Sequence, residues 1–260
     1  LLHEVPGAGG RVLLVGLGRA SEFRDRQYRE AVAAALVALH GTGAEEAALH
    51  LTELAVGGRD AQWKVAHAVA GAGASGYRFT RMKSKGEEEP RTLRRLALSV
   101  DRAARKKAAA GLEQGLALTH GVALARDLGN LPPNVCTPSH LADEARELAR
   151  RYRMKLTVLG REDMERLGMR TLLAVAQGSA EPPRFITLEY RGGPRSQQPI
   201  ALVGKGITFD TGGISIKPAA EMDEVKFDMC GAAAVLGALK SAGEMRLPVN
   251  LVGAIPSTEN

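Results

Sequence analysis

Lys205, Asp210, Lys217 and Asp228 fall within one 24-residue window of this chain. They lie in ALVGKGITFDTGGISIKPAAEMDEVKFDMCGAAAVLGALK (residues 201–240), between an apolar strand-like run and an Ala-rich helix-like run. Charges set beside buried elements need partners, because an unpaired charge is costly to remove from water. Two carboxylates with two amines supply oxygen donors for metal ions and a charged group to act on a substrate. Each residue also has a plainer reading: Asp228 as the cap of a helix over Met229–Lys240, Lys205 as a salt-bridged surface group, Asp210 as a turn former. The glycines Gly206, Gly212 and Gly213 let the backbone turn tightly around a small object. Together with the four charges they favour a site over coincidence.

The elements that must position this cluster read as α/β. Pro199–Gly204 is a buried strand that ends at the charges, and Lys205 stands at its C-terminal end, where α/β sheets place their sites. Upstream, Lys155–Leu159, Leu172–Ala176 and Phe185–Tyr190 are strand-like, and a helix from Thr137-Pro138-Ser139 to Arg151 is capped by Thr137 or Ser139. A long helical pattern runs from Lys106 to about Leu128 and stops at Gly129-Asn130-Leu131-Pro132-Pro133. Before it, strands at Arg11–Leu17, Ala47–Leu54 and Thr92–Val100 alternate with helices at Gln27–His40 and about Ala61–Ala72, the signature of a mainly parallel sheet. Lys83–Pro90 (KSKGEEEP) reads as a surface turn. The expected division is an N-terminal α/β domain over 1–108, a linking helix over 109–130 and a catalytic part over 131–260.

Bulk properties narrow the class. The 260 residues are 45% hydrophobic and 25% charged, enough for one large or two ordinary cores. No apolar run approaches the roughly 20 residues of a membrane helix, so no membrane association is expected. Leu1–Gly10 shows no secretory signal and no initiating Met, so an upstream segment is expected to be missing. Cys136 and Cys230 are far apart, without C-x-x-C spacing, and a reducing cytoplasm fits best. The net charge of +6 comes from residues 1–110, which hold 18 Lys+Arg against 12 Asp+Glu. Clusters at Arg78, Arg81, Lys83 and Lys85, and at Arg102, Arg105, Lys106 and Lys107, read as a solvated surface, with DNA binding as the competing reading.

Two phosphate-loop resemblances do not hold. Val15-Gly16-Leu17-Gly18 follows a strand, but a dinucleotide fingerprint needs a third Gly where Ser21 stands. Gly204-Lys205-Gly206 has Pro199 and Gly206 where a Walker loop needs Gly and Ser or Thr.

GKGITFDTGGISIKP followed by MDEVKFDMCGAAAV closely resembles the signature of the leucyl aminopeptidases, a two-metal family that includes cytosolic leucine aminopeptidase and bacterial aminopeptidase A. RDLGNLPPNVCTP (Arg126–Pro138) resembles the family's entry into its catalytic domain. The resemblance covers roughly Ala110–Asn260 well, and the N-terminal part in layout only. It implies that Asp210 bridges two divalent ions, Mn2+ or Zn2+, that Asp228 and Lys205 complete the tighter site, and that Lys217 polarises the scissile carbonyl. It also implies peptide substrates and a homohexamer. Thr211 stands where Ser also occurs in the family. Val225, three residues before Asp228, stands where relatives often carry a Met lining the pocket for the N-terminal side chain. The family also needs two further carboxylates and an Arg from a downstream Asn-Thr-Asp-Ala-Glu-Gly-Arg segment, expected beyond Asn260. Residues 1–260 are therefore expected to be part of a longer enzyme and inactive alone; a DNA-binding regulator and an inactive fragment are the alternatives.

Overall fold

Apolar residues at helical spacing bury one side of the first long helix, α1 (Asp25–His40), through Tyr28, Ala31, Val32, Ala35 and Leu36. Each fully buried aliphatic side chain of this kind contributes about 1.5–3 kcal/mol. The computed structural model describes residues 2–5, 10–84 and 93–260. From residue 85 on, the turn expected over Lys83–Pro90 lies outside them, as does Lys85. The chain forms two compact units, Leu1–Thr119 and His120–Asn260, divided within α3 (Arg105–Asn130).

In the first unit β1 (Leu2–Val5) pairs antiparallel with β2 (Gly10–Leu13), while β3 (Glu46–Leu49) pairs in parallel with β4 (Arg95–Leu98). Phe23, Tyr28, Val32, Leu36, Leu49 and Val56 form a core, joined by α2 (Ala61–Gly76) through Ala68. The strand expected over Arg11–Leu17 keeps its ladder only to Leu13. Val15 and Leu17 leave the ladder yet still pack on the core, so the alternation records burial more than strand pairing. The strand expected over Ala47–Leu54 stops at Leu49. There the Thr52 hydroxyl donates to the Ser99 carbonyl at 2.5 Å, and residues 51–53 coil into a 3-10 turn. Arg78, Arg81, Lys83, Arg102, Arg105, Lys106 and Lys107 are exposed, and Lys107 pairs with Asp60 at 3.2 Å.

The second unit is a mixed sheet with helices. α4 (Pro138–Tyr152) leads to β5 (Lys155–Leu159), then α5 (Arg161–Arg166), α6 (Arg170–Val175) and β6 (Arg184–Arg191). β7 (Ile200–Val203), β8 (Gly206–Ile207), α7 (Cys230–Met245) and β9 (Asn250–Thr258) follow. The order is β5-β6-β9-β7, antiparallel through β9, with β7 and then β8 running parallel to β9. α7 buries Ala232, Val235, Leu236 and Leu239, and Val235 and Leu239 lie over Gly253 of β9.

Two expectations are corrected here. Leu172–Ala176 is not a strand: it lies in α6 and the 3-10 turn that follows. A five-residue apolar run does not distinguish strand from helix by period, and Leu and Ala favour the helix. Pro199–Gly204 does form a strand, but not a buried one. Among the described residues β7 is the edge of the sheet, with Ile200 and Val203 exposed. Among the described residues no helix is long and apolar enough to cross a membrane.

Thr137, not Ser139, caps α4: its hydroxyl accepts from the His140 amide at 3.3 Å, and Pro138 opens the first turn. Leu141, Ala142, Ala145 and Leu148 then bury the inner face of α4. Thr137→Ala is expected to lower stability by about 1 kcal/mol while Thr137→Ser changes it far less. Urea unfolding of the two variants measures this.

Candidate functional site

β7 and β8 run along the same neighbour, Ile200–Val203 opposite Leu251–Ala254 and Gly206–Ile207 opposite Ser257–Thr258. The two residues between them, Gly204 and Lys205, meet the start of α7. The Ala232 amide donates to the Lys205 carbonyl at 2.8 Å, satisfying one of the N–H groups a helix start leaves free. This approach needs glycine on both sides. A Cβ on Gly204 would stand 2.3 Å from the Gly231 oxygen, and one on Gly231 would stand 2.8 Å from the Lys205 nitrogen. The contact carries Asp228, two residues before α7, to the side of Lys205.

Asp210 arrives from the other end of β8. Its loop turns through Gly212 (φ 94°) and Gly213 (φ 60°), left-handed conformations that glycine adopts without strain. The Lys217 amide donates to the Thr211 carbonyl at 2.8 Å, folding the loop back so that Lys217 returns to Asp210.

All four charged residues converge. Lys205 Nζ lies 3.0 Å from Asp228 Oδ1 and 3.9 Å from Asp210 Oδ2. Lys217 Nζ lies 3.3 Å from Asp210 Oδ2 and 3.6 Å from Asp228 Oδ2. The Asp210 side chain is only 13% exposed, against 39% and 52% for the lysines. Burial pushes the Asp210 carboxyl up. Hydrogen bonds from Asn260, the Gly212 amide and Lys217 outweigh it and hold Asp210 down at about 2. Two carboxylates brought to one place need positive charge between them, and here both lie within 4 Å of the same two ammonium groups.

This donor set fits a hard or borderline divalent ion, with carboxylate oxygens and one amine on a common centre. Among the described residues no three His, Cys, Asp or Glu side chains converge on a metal position; the groups brought together here are the carboxylates of Asp210 and Asp228 and the amines of Lys205 and Lys217.

Asp228 does not cap α7. The helix starts at Cys230 after Met229, without a side-chain cap, and Asp228 is the last residue but one of a 3-10 segment (Met222–Met229), with its carboxylate on the lysines. Asp210 does form a turn, accepting from the Gly212 amide at 3.0 Å, but with one oxygen only. Val225 is half-buried on the same 3-10 segment as Asp228. One participant escaped the sequence reading: Asn260, whose side-chain amide donates to Asp210 Oδ1 at 2.8 Å across 50 residues. No motif or spacing links the two; the pairing of β8 with β9 and the main-chain bonds that continue beyond it bring them together.

Carboxylates and amines at the C-terminal ends of parallel strands, in a mixed α/β unit, define a candidate metal centre. Residues 123–260 match the cytosol aminopeptidase family, catalytic domain, and residues 1–86 match the N-terminal domain of the same family. The chain belongs to the cytosol aminopeptidase family. It is 52% identical over 265 residues to a probable cytosol aminopeptidase of Nitrosospira multiformis, covering all of this chain and 51% of that protein. A protein of the same description from Alkalilimnicola ehrlichii is 54% identical over 252 residues, covering 96% of this chain and 51% of its own length. Among solved structures, the bottromycin maturation enzyme BotP in complex with Mn matches with a TM-score of 0.83 at 34% identity, over 100% of this chain and 53% of that one. A mutant of tomato leucine aminopeptidase matches with a TM-score of 0.79 at 30% identity, over 100% of this chain and 49% of that one. The chain spans about half the length of the curated relatives it matches.

Gly204→Ala places a methyl group against backbone that cannot rotate aside, so α7 must withdraw. Its expected cost is about 1–3 kcal/mol of stability, with faster hydrogen exchange at the Ala232 amide. Thermal unfolding and exchange mass spectrometry read the two effects; unchanged protection at Ala232 would show that the contact is not limiting.

Proposed function

We propose that this protein is a metal-dependent aminopeptidase of the leucyl type, removing leucine and other apolar residues from the N-termini of peptides. One observation carries the reading: Lys205, Asp210, Lys217 and Asp228 converge within 3.0–3.9 Å in a chain of the cytosol aminopeptidase family. On this reading residues 131–260 are the N-terminal part of the catalytic domain, joined through 109–130 to the domain of residues 1–108. Asp210, Asp228 and Lys205 would hold divalent ions, Mn2+ or Zn2+. Bound ions supply Lewis acidity and a water acidic enough to act as a nucleophile at neutral pH. The Mn in the BotP structure supports the choice of manganese. Two ions need more donors than these three side chains, and further carboxylates and an Arg are assigned to a segment following Asn260.

The chain's own residues then have distinct tasks. Lys205 would hold a metal ion through Nζ, whose lone pair is available for this only in the neutral amine. Asp210 and Asp228 would offer their oxygens to the centre, a role supported by their convergence on the same two lysines. Lys217 keeps its proton and donates to the scissile carbonyl oxygen, stabilising the negative charge that builds there. Val225 lines the pocket for the N-terminal side chain. Assembly as a homohexamer and a cytoplasmic location complete the proposal.

The test is hydrolysis of a leucyl-anilide by the intact protein with Mn2+ or Zn2+. Activity is expected to stop with a chelator and return with metal; chelator-insensitive hydrolysis would contradict the reading. Lys217→Ala is expected to lower kcat about 10^2- to 10^3-fold with metal content unchanged. Equal turnover would remove Lys217 from the reaction. Val225→Met is expected to shift the ratio of kcat/KM for Leu and Met substrates by several-fold; the same ratio in both proteins would take Val225 out of the pocket.

A further inference from the structure

The two oxygens of Asp210 have separate surroundings. Oδ2 faces the lysines, 3.3 Å from Lys217 Nζ and 3.9 Å from Lys205 Nζ. Oδ1 faces away from them and accepts from Asn260 Nδ2 at 2.8 Å and from the Gly212 amide at 3.0 Å. The terminal torsion of an aspartate is broad, so its carboxylate has no intrinsic reason to keep one oxygen forward. A donor fixed behind it removes that freedom.

Asn260 is well placed for this because its backbone is itself tied to the loop. Its amide donates to the Phe209 carbonyl at 3.0 Å. Its carbonyl accepts from both the amide and the hydroxyl of Thr211, each at 2.9 Å. These bonds grip the residues on either side of Asp210, leaving the side-chain amide free to act on the carboxylate alone.

We propose that Asn260 is a positioning residue that turns Asp210 so that Oδ2 is presented to the metal centre. This rests on the reading of Asp210 as a metal ligand. Asn260→Ala removes the side-chain donor and keeps every main-chain bond of residue 260. Mn2+ affinity is measured by calorimetric titration of the intact, metal-free protein, with Asp210→Asn alongside. Asn260→Ala is expected to weaken Mn2+ binding about 10- to 100-fold, the usual effect of losing a group that orients a ligand. The melting temperature of the metal-free variant is expected to stay close to the parent's, and kcat to recover at saturating Mn2+ with KM unaltered. If Asn260→Ala does not fold, Asn260→Ser is titrated in its place. Mn2+ affinity within twofold of the parent, while Asp210→Asn loses Mn2+, would overturn the role of Asn260 alone. Mn2+ bound normally by both variants would overturn the ligand reading of Asp210 and this inference with it.

Discussion

The contact between the Gly204–Lys205 backbone and the first turn of α7 is the constraint on which the site depends. It is made of backbone on both sides, closed by one hydrogen bond from the Ala232 amide to the Lys205 carbonyl. Main chain approaching main chain tolerates no Cβ, and both Gly204 and Gly231 meet that condition. The consequence reaches beyond packing. α7 is a rigid element, so its start decides where the preceding 3-10 segment ends and therefore where Asp228 points. Lys205 is held by the same contact and by the strand pairing of β7 and β8 with β9. The separation of Lys205 from Asp228 is thus set by scaffold elements, the condition under which a functional geometry stays precise.

Electrostatics then works on a geometry already in place. Two carboxylates drawn together repel each other, and burial of Asp210 adds to the cost of keeping it ionised. Opposing this are two amines, each within 4 Å of both carboxylates, and donors from Asn260 and Gly212. The balance holds Asp210 well below the usual carboxylate range. The carboxylates are the less exposed members of the cluster and the lysines the more exposed. Lysines can therefore exchange partners or withdraw while the oxygens remain in position.

β9 joins these features. It receives β7 and β8 one after the other in parallel, carries α7 over Gly253, and leads two residues past its end to Asn260 against the Asp210 loop. One strand thus fixes the backbone bearing Lys205, the helix that places Asp228, and the orientation of Asp210. Membership of the cytosol aminopeptidase family gives this arrangement its chemical context.

Much of this was legible in the sequence, for identifiable reasons. The four charged residues, the glycines among them, the α/β alternation and the helices over Asp25–His40, Pro138–Tyr152 and Cys230–Met245 follow from residue type and local spacing. The Leu172–Ala176 run was misread because a short apolar stretch carries no decisive period, and Pro199–Gly204 because apolar composition says nothing of a strand's place in the sheet. Asp228 was open to reading as a helix cap, since sequence adjacency to a helix does not tell which way a carboxylate turns. Asn260 had no signal at all. By itself the sequence determined which groups could do chemistry and which elements would carry them, because propensity, periodicity and motif are properties of neighbouring residues. The tertiary structure alone decided which oxygen of Asp210 faces the lysines, where α7 begins, and that Asn260 stands behind the carboxylate. Those outcomes depend on contacts between residues 50 and 51 positions apart, made only when the strands pair and the helix docks.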